Sequence, residues 1–257
     1  MRIQNKPQKQ LTFLYRLFFI LLSLVIASGI GAYFFFTHQQ KALEQTVQSA
    51  QQTAYQQTQK QLEQAIEKSE ASMNKTSSST ENPTSSEESV PAASMKQTID
   101  YSGKTVRPLT VEAMKQVDAE KVVTDYGAGT IEIPSIGLKL PILEGMTQEN
   151  LSVGAGTMKP NQVLGQGNFA LAGHYMTNAG LLFGGIKNVH QGDLIQLTYQ
   201  NQLRLVAYRV TEVKRITKDQ GQVISDSQGT GLLTLITCDS SVAGTNGRLM
   251  VRAAVVH

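Results

Sequence analysis

The chain has few residues that could form crosslinks or bind metal ions. Its 257 residues include one cysteine, Cys238, and four histidines. A single cysteine excludes an intramolecular disulfide, so Cys238 is either a small buried apolar residue or a reactive thiol. The sequence has no His and Cys cluster with metal-ligand spacing, no Asp-rich calcium loop and no glycine-rich phosphate loop before a helix. The net charge of +3 comes without a basic patch interleaved with aromatic residues, so we expect no nucleic-acid partner.

One uncharged run near the N-terminus, Leu17 to Phe36, is twenty residues long. This is about the length that crosses a hydrocarbon core of roughly 30 Å as a helix. Residues 1–16 contain no acidic residue and four basic ones, which are Arg2, Lys6, Lys9 and Arg16. The positive-inside rule therefore predicts a cytoplasmic N-terminus at 1–16, a transmembrane anchor at 17–36 and an extracellular remainder. No second run of this length occurs, so we expect a single crossing of the cell membrane.

A cleaved signal peptide is the alternative interpretation of this run. It would have an apolar region of about 7–15 residues followed by a small-x-small cleavage site. The run here is longer and ends in the bulky segment Tyr33 to Phe36. An aromatic end of this kind favours an uncleaved interfacial anchor.

Residues 37–94, which we call the stalk and linker, differ in composition from the rest of the chain. Up to about Lys75 they are rich in Gln, Ala, Lys and Glu, with a thin stripe of apolar residues mostly three or four apart. The stripe consists of Leu43, Val47, Ala50, Ala54, Leu62 and Ile66. It predicts a solvated helix, with a weak coiled coil as the alternative. Thr76 to Ala93 is rich in Ser, Thr, Glu and Pro and is predicted to be a disordered linker.

Residues 95–257 are enough for one domain with a real core, and their pattern is mainly β. Glycine and asparagine separate the short apolar runs, which is typical of a barrel or a sandwich. The predicted strands are Thr130–Ile133, Leu138–Leu143, Asn168–Gly173, Leu194–Tyr199, Leu203–Ile216, Leu232–Thr237 and Arg248–Val256. We also predict a helix over Val111–Val122 and another that begins at Thr147 as its N-cap.

A cysteine nucleophile needs a proton shuttle and a group that holds an oxyanion. His174 ends the strand-like run from Phe169, at an edge where catalytic groups are often held, although an incidental role is equally open. Arg248 begins the last predicted strand after a turn-like segment. If that strand and the one ending at Cys238 are antiparallel neighbours, Arg248 lies beside the thiol and offers fixed, permanently charged donors. A solvated arginine at a strand end is the alternative.

The segment Thr234 to Cys238, TLITC, resembles the TLxTC signature of sortases, the transpeptidases of Gram-positive cell surfaces. Leu171 to His174 resembles the segment that carries the family's histidine, and Arg248 falls where the family's arginine follows the cysteine. The resemblance covers roughly Thr130 to His257. It implies an eight-stranded sortase-type β-barrel with short helices, preceded here by the transmembrane helix and the stalk. Residues 95–257 would then be the catalytic domain.

Within that family the chain resembles class A. Its anchor is N-terminal, no hydrophobic segment follows the last strand, and no Asp-Pro-aromatic lid motif precedes the barrel. The short stretch between Ile216 and Leu232 argues against class B. Some class A members bind calcium through acidic residues in a loop that corresponds to Gly154–Gln162, where this chain has no carboxylate. Because calcium prefers several hard and usually anionic oxygen ligands, we expect no cofactor and no calcium requirement.

The resemblance also implies a reaction and a set of partners. Cys238 would cleave an LPxTG-like motif of a surface protein between Thr and Gly, His174 would move the proton, and Arg248 would hold the oxyanion. The acyl group of the resulting thioester would then be transferred to an amine on a peptidoglycan precursor of the lipid II type. Alternation puts Ile236 on the same face as Cys238. The substrate-binding candidates are Ala172, Ile236, Thr237, Met146, Leu151 and Met158, and for the last three core packing is the equal alternative.

Two other functions remain open on the sequence. One is an exported cysteine peptidase that uses water and transfers nothing. The other is a membrane-tethered binding domain in which Cys238 is buried and inert. They differ from a transpeptidase in whether an added amine diverts the product and in whether Cys238 is needed at all.

Overall fold

The computed structural model describes residues 7–76, 99–199, 202–229 and 231–256 of the chain. It divides into two compact units, Met1–Gln45 and Thr46–His257. A long helix, α1 (Pro7–Thr76), contributes to both units. Apart from Thr76, the predicted linker lies outside the described residues. The domain boundaries at 16, 36 and 94 therefore stay predictions.

In the first unit the described part of α1 exposes its apolar side chains. Near the N-terminus the helix is long and apolar enough, by length and composition, to cross a membrane. Phe18, Leu24 and Phe35 are each about sixty per cent exposed, and every residue of the predicted anchor is exposed. Such a surface is a candidate membrane anchor, because apolar side chains in this number are unfavourable in water.

The second unit is built on a closed barrel of eight strands, which confirms the expected fold class. The strands are β1 (Gly127–Ile133), β2 (Leu138–Leu143), β3 (Ala155–Thr157), β4 (Asn168–Ala172), β5 (Leu194–Tyr199), β6 (Gln202–Thr217), β7 (Leu232–Cys238) and β8 (Gly247–Val255). Around the barrel they follow the order β1-β2-β3-β4-β7-β8-β6-β5. The pairs β2–β3 and β4–β7 are parallel, and the other pairs are antiparallel. Closure removes the free sheet edges that would otherwise pair with other chains.

The barrel interior is filled by alternate residues of the strands. Ile131 and Ile133 of β1, Leu233 and Leu235 of β7, and Val251 of β8 are completely buried. Their period of two matches the alternation of side chains across a strand. The interior is therefore a packed core, and the chemistry must lie at the rim or on the outer face.

The predicted helix over Val111–Val122 is wrong as a single element. The structure has α2 (Val111–Met114) and α3 (Ala119–Tyr126), and Asp118 between them caps α3 by accepting a hydrogen bond from the Lys121 amide at 3.0 Å. An N-cap carboxylate of this kind starts a new helix instead of continuing the old one. The helix predicted from Thr147 is confirmed as α4 (Gln148–Val153), with the Thr147 hydroxyl accepting from the Asn150 amide at 3.1 Å.

The part of α1 that belongs to the second unit packs against the barrel domain, where the sequence indicated a solvated spacer. Val47, Ala54 and Thr58 are buried, at a spacing that puts them on one face of the helix. Ala54 joins an apolar cluster with Ala119, Val122, Val123, Leu143 and Val153. The Tyr55 hydroxyl also donates a hydrogen bond of 2.5 Å to the Glu132 carboxylate on β1. Small side chains suffice here because they allow the helix to approach the barrel closely.

Candidate active site

Cys238 and Arg248 face each other across two neighbouring strands. Cys238 is the last residue of β7, and the antiparallel register pairs it directly with Arg248 of β8. The sequence predicted this arrangement from the turn that joins the two strands. The thiol is free and half-buried, so it is neither hidden in the core nor fully solvated.

His174 follows β4 at the same end of the barrel. The parallel pairing of β4 with β7 runs to Ala172 and Ile236, and the Gly173 amide continues it by donating to the Ile236 carbonyl at 3.1 Å. Extending this register by two residues brings His174 level with Cys238. Three adjacent strands, β4, β7 and β8, thus bring the histidine, the cysteine and the arginine to one end of the barrel.

His174 is half-buried, so its imidazole is partly shielded from water. Its Nε2 atom is buried and has no hydrogen-bond partner among the described residues. Burial lowers the pKa of His174 to about 4, because the charged form is poorly solvated there. At neutral pH the side chain is therefore an uncharged imidazole, the form that can take a proton from a thiol and pass it on.

Arg248 is held in place by the turn that precedes it. Its Nη1 atom donates to the carbonyls of Thr245 at 2.9 Å and Gly247 at 2.8 Å. These bonds use one end of the guanidinium fork and fix its plane. Arginine has five donors in a rigid arrangement, so the other end can hold a carbonyl oxygen or an oxyanion.

Three of the predicted substrate-binding residues lie half-buried in or beside the sheet that carries the site. Gly156 of β3 pairs with Ala172 of β4, which in turn pairs with Ile236 of β7. Ala172, Ile236 and Met158 are all half-buried. Alternation along β7 gives Ile236 the same face as Cys238. The row ends at Ile236, two residues before Cys238 on β7.

The other three predicted residues are more deeply buried. Met146 and Leu151 are less than a tenth exposed, and the Met146 amide donates to the Asp100 carbonyl at 2.6 Å. Thr237 is also buried, and its hydroxyl donates to the Gly173 carbonyl at 2.8 Å. That bond ties β7 to the residue just before His174. The hydroxyl proton of Thr237 is thus already used within the protein.

A half-buried carboxylate that the sequence analysis did not single out precedes Met146 by two residues. Glu144 accepts hydrogen bonds from the hydroxyls of Tyr101 at 3.1 Å and Thr157 at 3.0 Å, and from the Tyr199 hydroxyl. Burial, together with the carboxylate's charge, raises the pKa of Tyr101 to about 12. The available sequence signal was an acidic residue directly after the apolar run of β2. This network fixes the loop between β2 and α4.

The described residues offer no ready metal centre. Among them no group of three or more His, Cys, Asp or Glu side chains is placed to hold an ion. The loop Gly154–Gln162 instead carries the Lys159 ammonium, which pairs with the Asp226 carboxylate at 2.5 Å.

A cysteine, a neutral histidine and an arginine at adjacent strand ends of a closed barrel define a class of enzymes that form covalent intermediates on a thiol. The sortase domain model matches residues 131–256. The chain is 40% identical to sortase A of Bacillus anthracis over 158 aligned residues. The alignment covers 62% of this chain and 71% of that protein. It is 36% identical to sortase A of Listeria monocytogenes over 58% of this chain and 64% of that protein.

The solved structure of Listeria monocytogenes sortase A has 38% identity to the chain and a TM-score of 0.48, and the match covers 52% of this chain and 89% of that one. From the sequence relatives it follows that the chain belongs to the sortase family and is a cysteine transpeptidase. The relatives named sortase A are consistent with class A.

Proposed function

We propose that this transpeptidase cleaves an LPxTG-like sorting motif between Thr and Gly and transfers the new carboxyl end to an amine of a lipid II-type cell-wall precursor. The observation that supports it best is the placement of Cys238, His174 and Arg248 at three neighbouring strand ends. The half-buried row of Ala172 and Ile236 offers an apolar surface beside the thiol for the Leu-Pro part of the motif.

In the first half-reaction the Cys238 sulfur attacks the threonine carbonyl carbon while its proton moves to the neutral His174. Arg248 stabilises the oxyanion that develops. The C–N bond to glycine then breaks, and His174 gives its proton to the departing amine. A thioester remains on Cys238, and the histidine is neutral again.

In the second half-reaction the acceptor amine enters the site and attacks the thioester carbonyl. His174 now takes a proton from the amine and returns it to the Cys238 sulfur as the C–S bond breaks. A new amide bond forms and the free thiol is restored. Exclusion of water by a half-buried site favours the amine over hydrolysis.

The full chain in non-ionic detergent, incubated with an LPxTG peptide with and without triglycine, tests this proposal by mass spectrometry. We expect a thioester adduct and a triglycine-ligated product, both absent in Cys238→Ala. Cleavage without ligation would indicate a hydrolase. If the wild-type chain leaves the peptide intact, the result would favour the alternative of a membrane-tethered binding domain.

We further propose that the anchor crosses the cell membrane once with residues 1–16 in the cytoplasm. Because Cys238 is the sole cysteine, a membrane-impermeant maleimide added to intact cells should label it without lysis. A Lys6→Cys/Cys238→Ala variant is the matched control and should react only after lysis. The reverse pattern would contradict this orientation.

Calcium independence is also proposed. The loop that would have to bind the ion has no carboxylate of its own, and the nearby Asp226 carboxylate is already paired with the Lys159 ammonium at 2.5 Å. Ligation rates should be equal in chelator and in millimolar calcium. Activation of several-fold by calcium would overturn the proposal.

A further inference from the structure

The second unit's part of α1 reaches the loop that follows His174. The Gln51 side chain accepts a hydrogen bond of 2.9 Å from the backbone amide of Leu182. Val47 and Ala54, one turn to either side on the same face, are completely buried. Packing on both sides therefore fixes the direction in which the Gln51 amide group points.

Leu182 is held in an unusual backbone conformation. Its φ angle is +44°, in the left-handed region that residues other than glycine and asparagine rarely adopt. Its side chain is almost completely buried. A strained residue of this kind persists only where its surroundings hold it, and such residues cluster at functional sites. The hydrogen bond that the Leu182 amide donates to Gln51 is one of the contacts that hold it.

The next residue passes this constraint on to His174. The Phe183 amide donates to the His174 carbonyl at 3.0 Å. The buried Phe183 ring packs closely against Gly173. A Cβ atom added to Gly173 would lie only 2.6 Å from the Cγ atom of Phe183. Phe183 thus contacts the backbone on both sides of the Gly173–His174 peptide bond. A shift of Leu182 would move Phe183 and with it the histidine.

We propose that Gln51 is a positioning residue for His174, acting through the Leu182 amide and Phe183. It would keep the imidazole at its place beside Cys238 and shielded from water, without touching the substrate. The role in turnover rests on the proposed function, in which His174 transfers the proton. The segment that resembled a spacer would then be part of the catalytic apparatus.

Three variants of the full chain in non-ionic detergent test this proposal. Gln51→Leu keeps the size of the side chain but removes the acceptor, whereas Gln51→Glu keeps an acceptor oxygen. Gln52→Leu is the matched control, because Gln52 is the exposed neighbour on the same helix. Two quantities are measured: kcat and KM for peptide transfer, and the titration of His174 by NMR with labelled histidine, assigned with His174→Gln.

We expect Gln51→Leu to lower kcat by about tenfold with little change in KM, since a misplacement of 1 Å can cost about 10²-fold. The His174 titration should move upward, towards that of a hydrated imidazole. Gln51→Glu and Gln52→Leu should keep kcat near that of the wild-type chain, and Gln52→Leu should also keep the His174 titration. The ionisable groups on the paired strands and in the same loop, Cys238, Arg248, Tyr175 and Lys187, are the same in all variants, but Gln51→Glu adds a carboxylate, so only its kcat is compared.

Equal kcat and equal His174 titration in Gln51→Leu and Gln52→Leu would overturn the proposal. A lower melting temperature alone would also overturn it, because it would show a purely structural role. If Gln51→Glu lowered kcat as much as Gln51→Leu, the hydrogen-bond acceptor of Gln51 would not be what positions His174. The titration needs no substrate, so it can be interpreted even if the wild-type chain fails to ligate a peptide.

Discussion

At the scale of single residues, the protonation of His174 links the active site to stability. The folded pKa of about 4 lies below the usual value of 6.5 because the imidazole is buried. Between these two pH values the unfolded chain binds a proton that the folded chain does not. The free energy of unfolding should therefore fall as the pH is lowered through this window, by up to about 3 kcal/mol.

Urea unfolding at pH 4.5 and pH 7 measures this effect. His174→Gln, which cannot titrate, should lose less stability on acidification than the wild-type chain. His190→Gln replaces an exposed histidine and should keep the wild-type pH dependence. An unchanged dependence in His174→Gln would show that the imidazole is not shielded as the structure has it.

Gly173 is required because no side chain fits at this position. In Gly173→Ala the new methyl group would collide with the Phe183 ring, which must move and weaken its bond to the His174 carbonyl. We expect kcat for peptide transfer to fall by about tenfold or more. Gly180→Ala in the same loop is the control, since its Cβ atom would meet nothing closer than 3.4 Å. Equal activity of the two variants would contradict the tight contact.

The sequence predicted the positions of some active-site residues but not of others. TLITC and the turn before Arg248 pointed to a cysteine and an arginine in contact, because adjacent antiparallel strands are a local feature. The position of His174 beside Cys238 depends on the parallel pairing of β4 with β7, whose paired residues are 64 apart in sequence. No local pattern reveals such a pairing, so only the family resemblance supplied it.

At the scale of elements, the part of α1 that belongs to the second unit differs most from the sequence analysis, which predicted a solvated helix. Its stripe of Val, Ala and Thr is too thin to predict a buried face, because side chains that small bury little apolar area. Their burial depends on the shape of the surface formed by α3, β2 and α4. β3, with three residues, was missed for a related reason: a strand that short has no measurable alternation.

The packing of this half of α1 is open to a direct measurement. Ala54→Lys would place a charge in a completely buried position and should lower the free energy of unfolding by a few kcal/mol. Gln56→Lys, two residues further on an exposed face, should change it by no more than about 0.5 kcal/mol. Chemical denaturation of both variants separates the outcomes. Equal stability would mean that the segment is a spacer after all.

At the scale of the whole molecule, the second compact unit of the structure and the predicted catalytic domain begin at different residues. The compact unit starts at Thr46, whereas the composition of the sequence placed the start at 95. A fragment of residues 95–257 would leave the cluster around Val122 and Val123 without Ala54. We expect a fragment of residues 46–257 to unfold at a higher denaturant concentration. Coincident unfolding curves would restore the boundary at 95.

β8 couples the closing of the barrel to the completion of the active site. This strand closes the barrel by pairing with both β7 and β6, and it carries Arg248. Until β8 pairs, β7 has one open edge and Cys238 has no guanidinium opposite. A folding intermediate with an open barrel is therefore expected to be inactive, so barrel closure and activity should appear together.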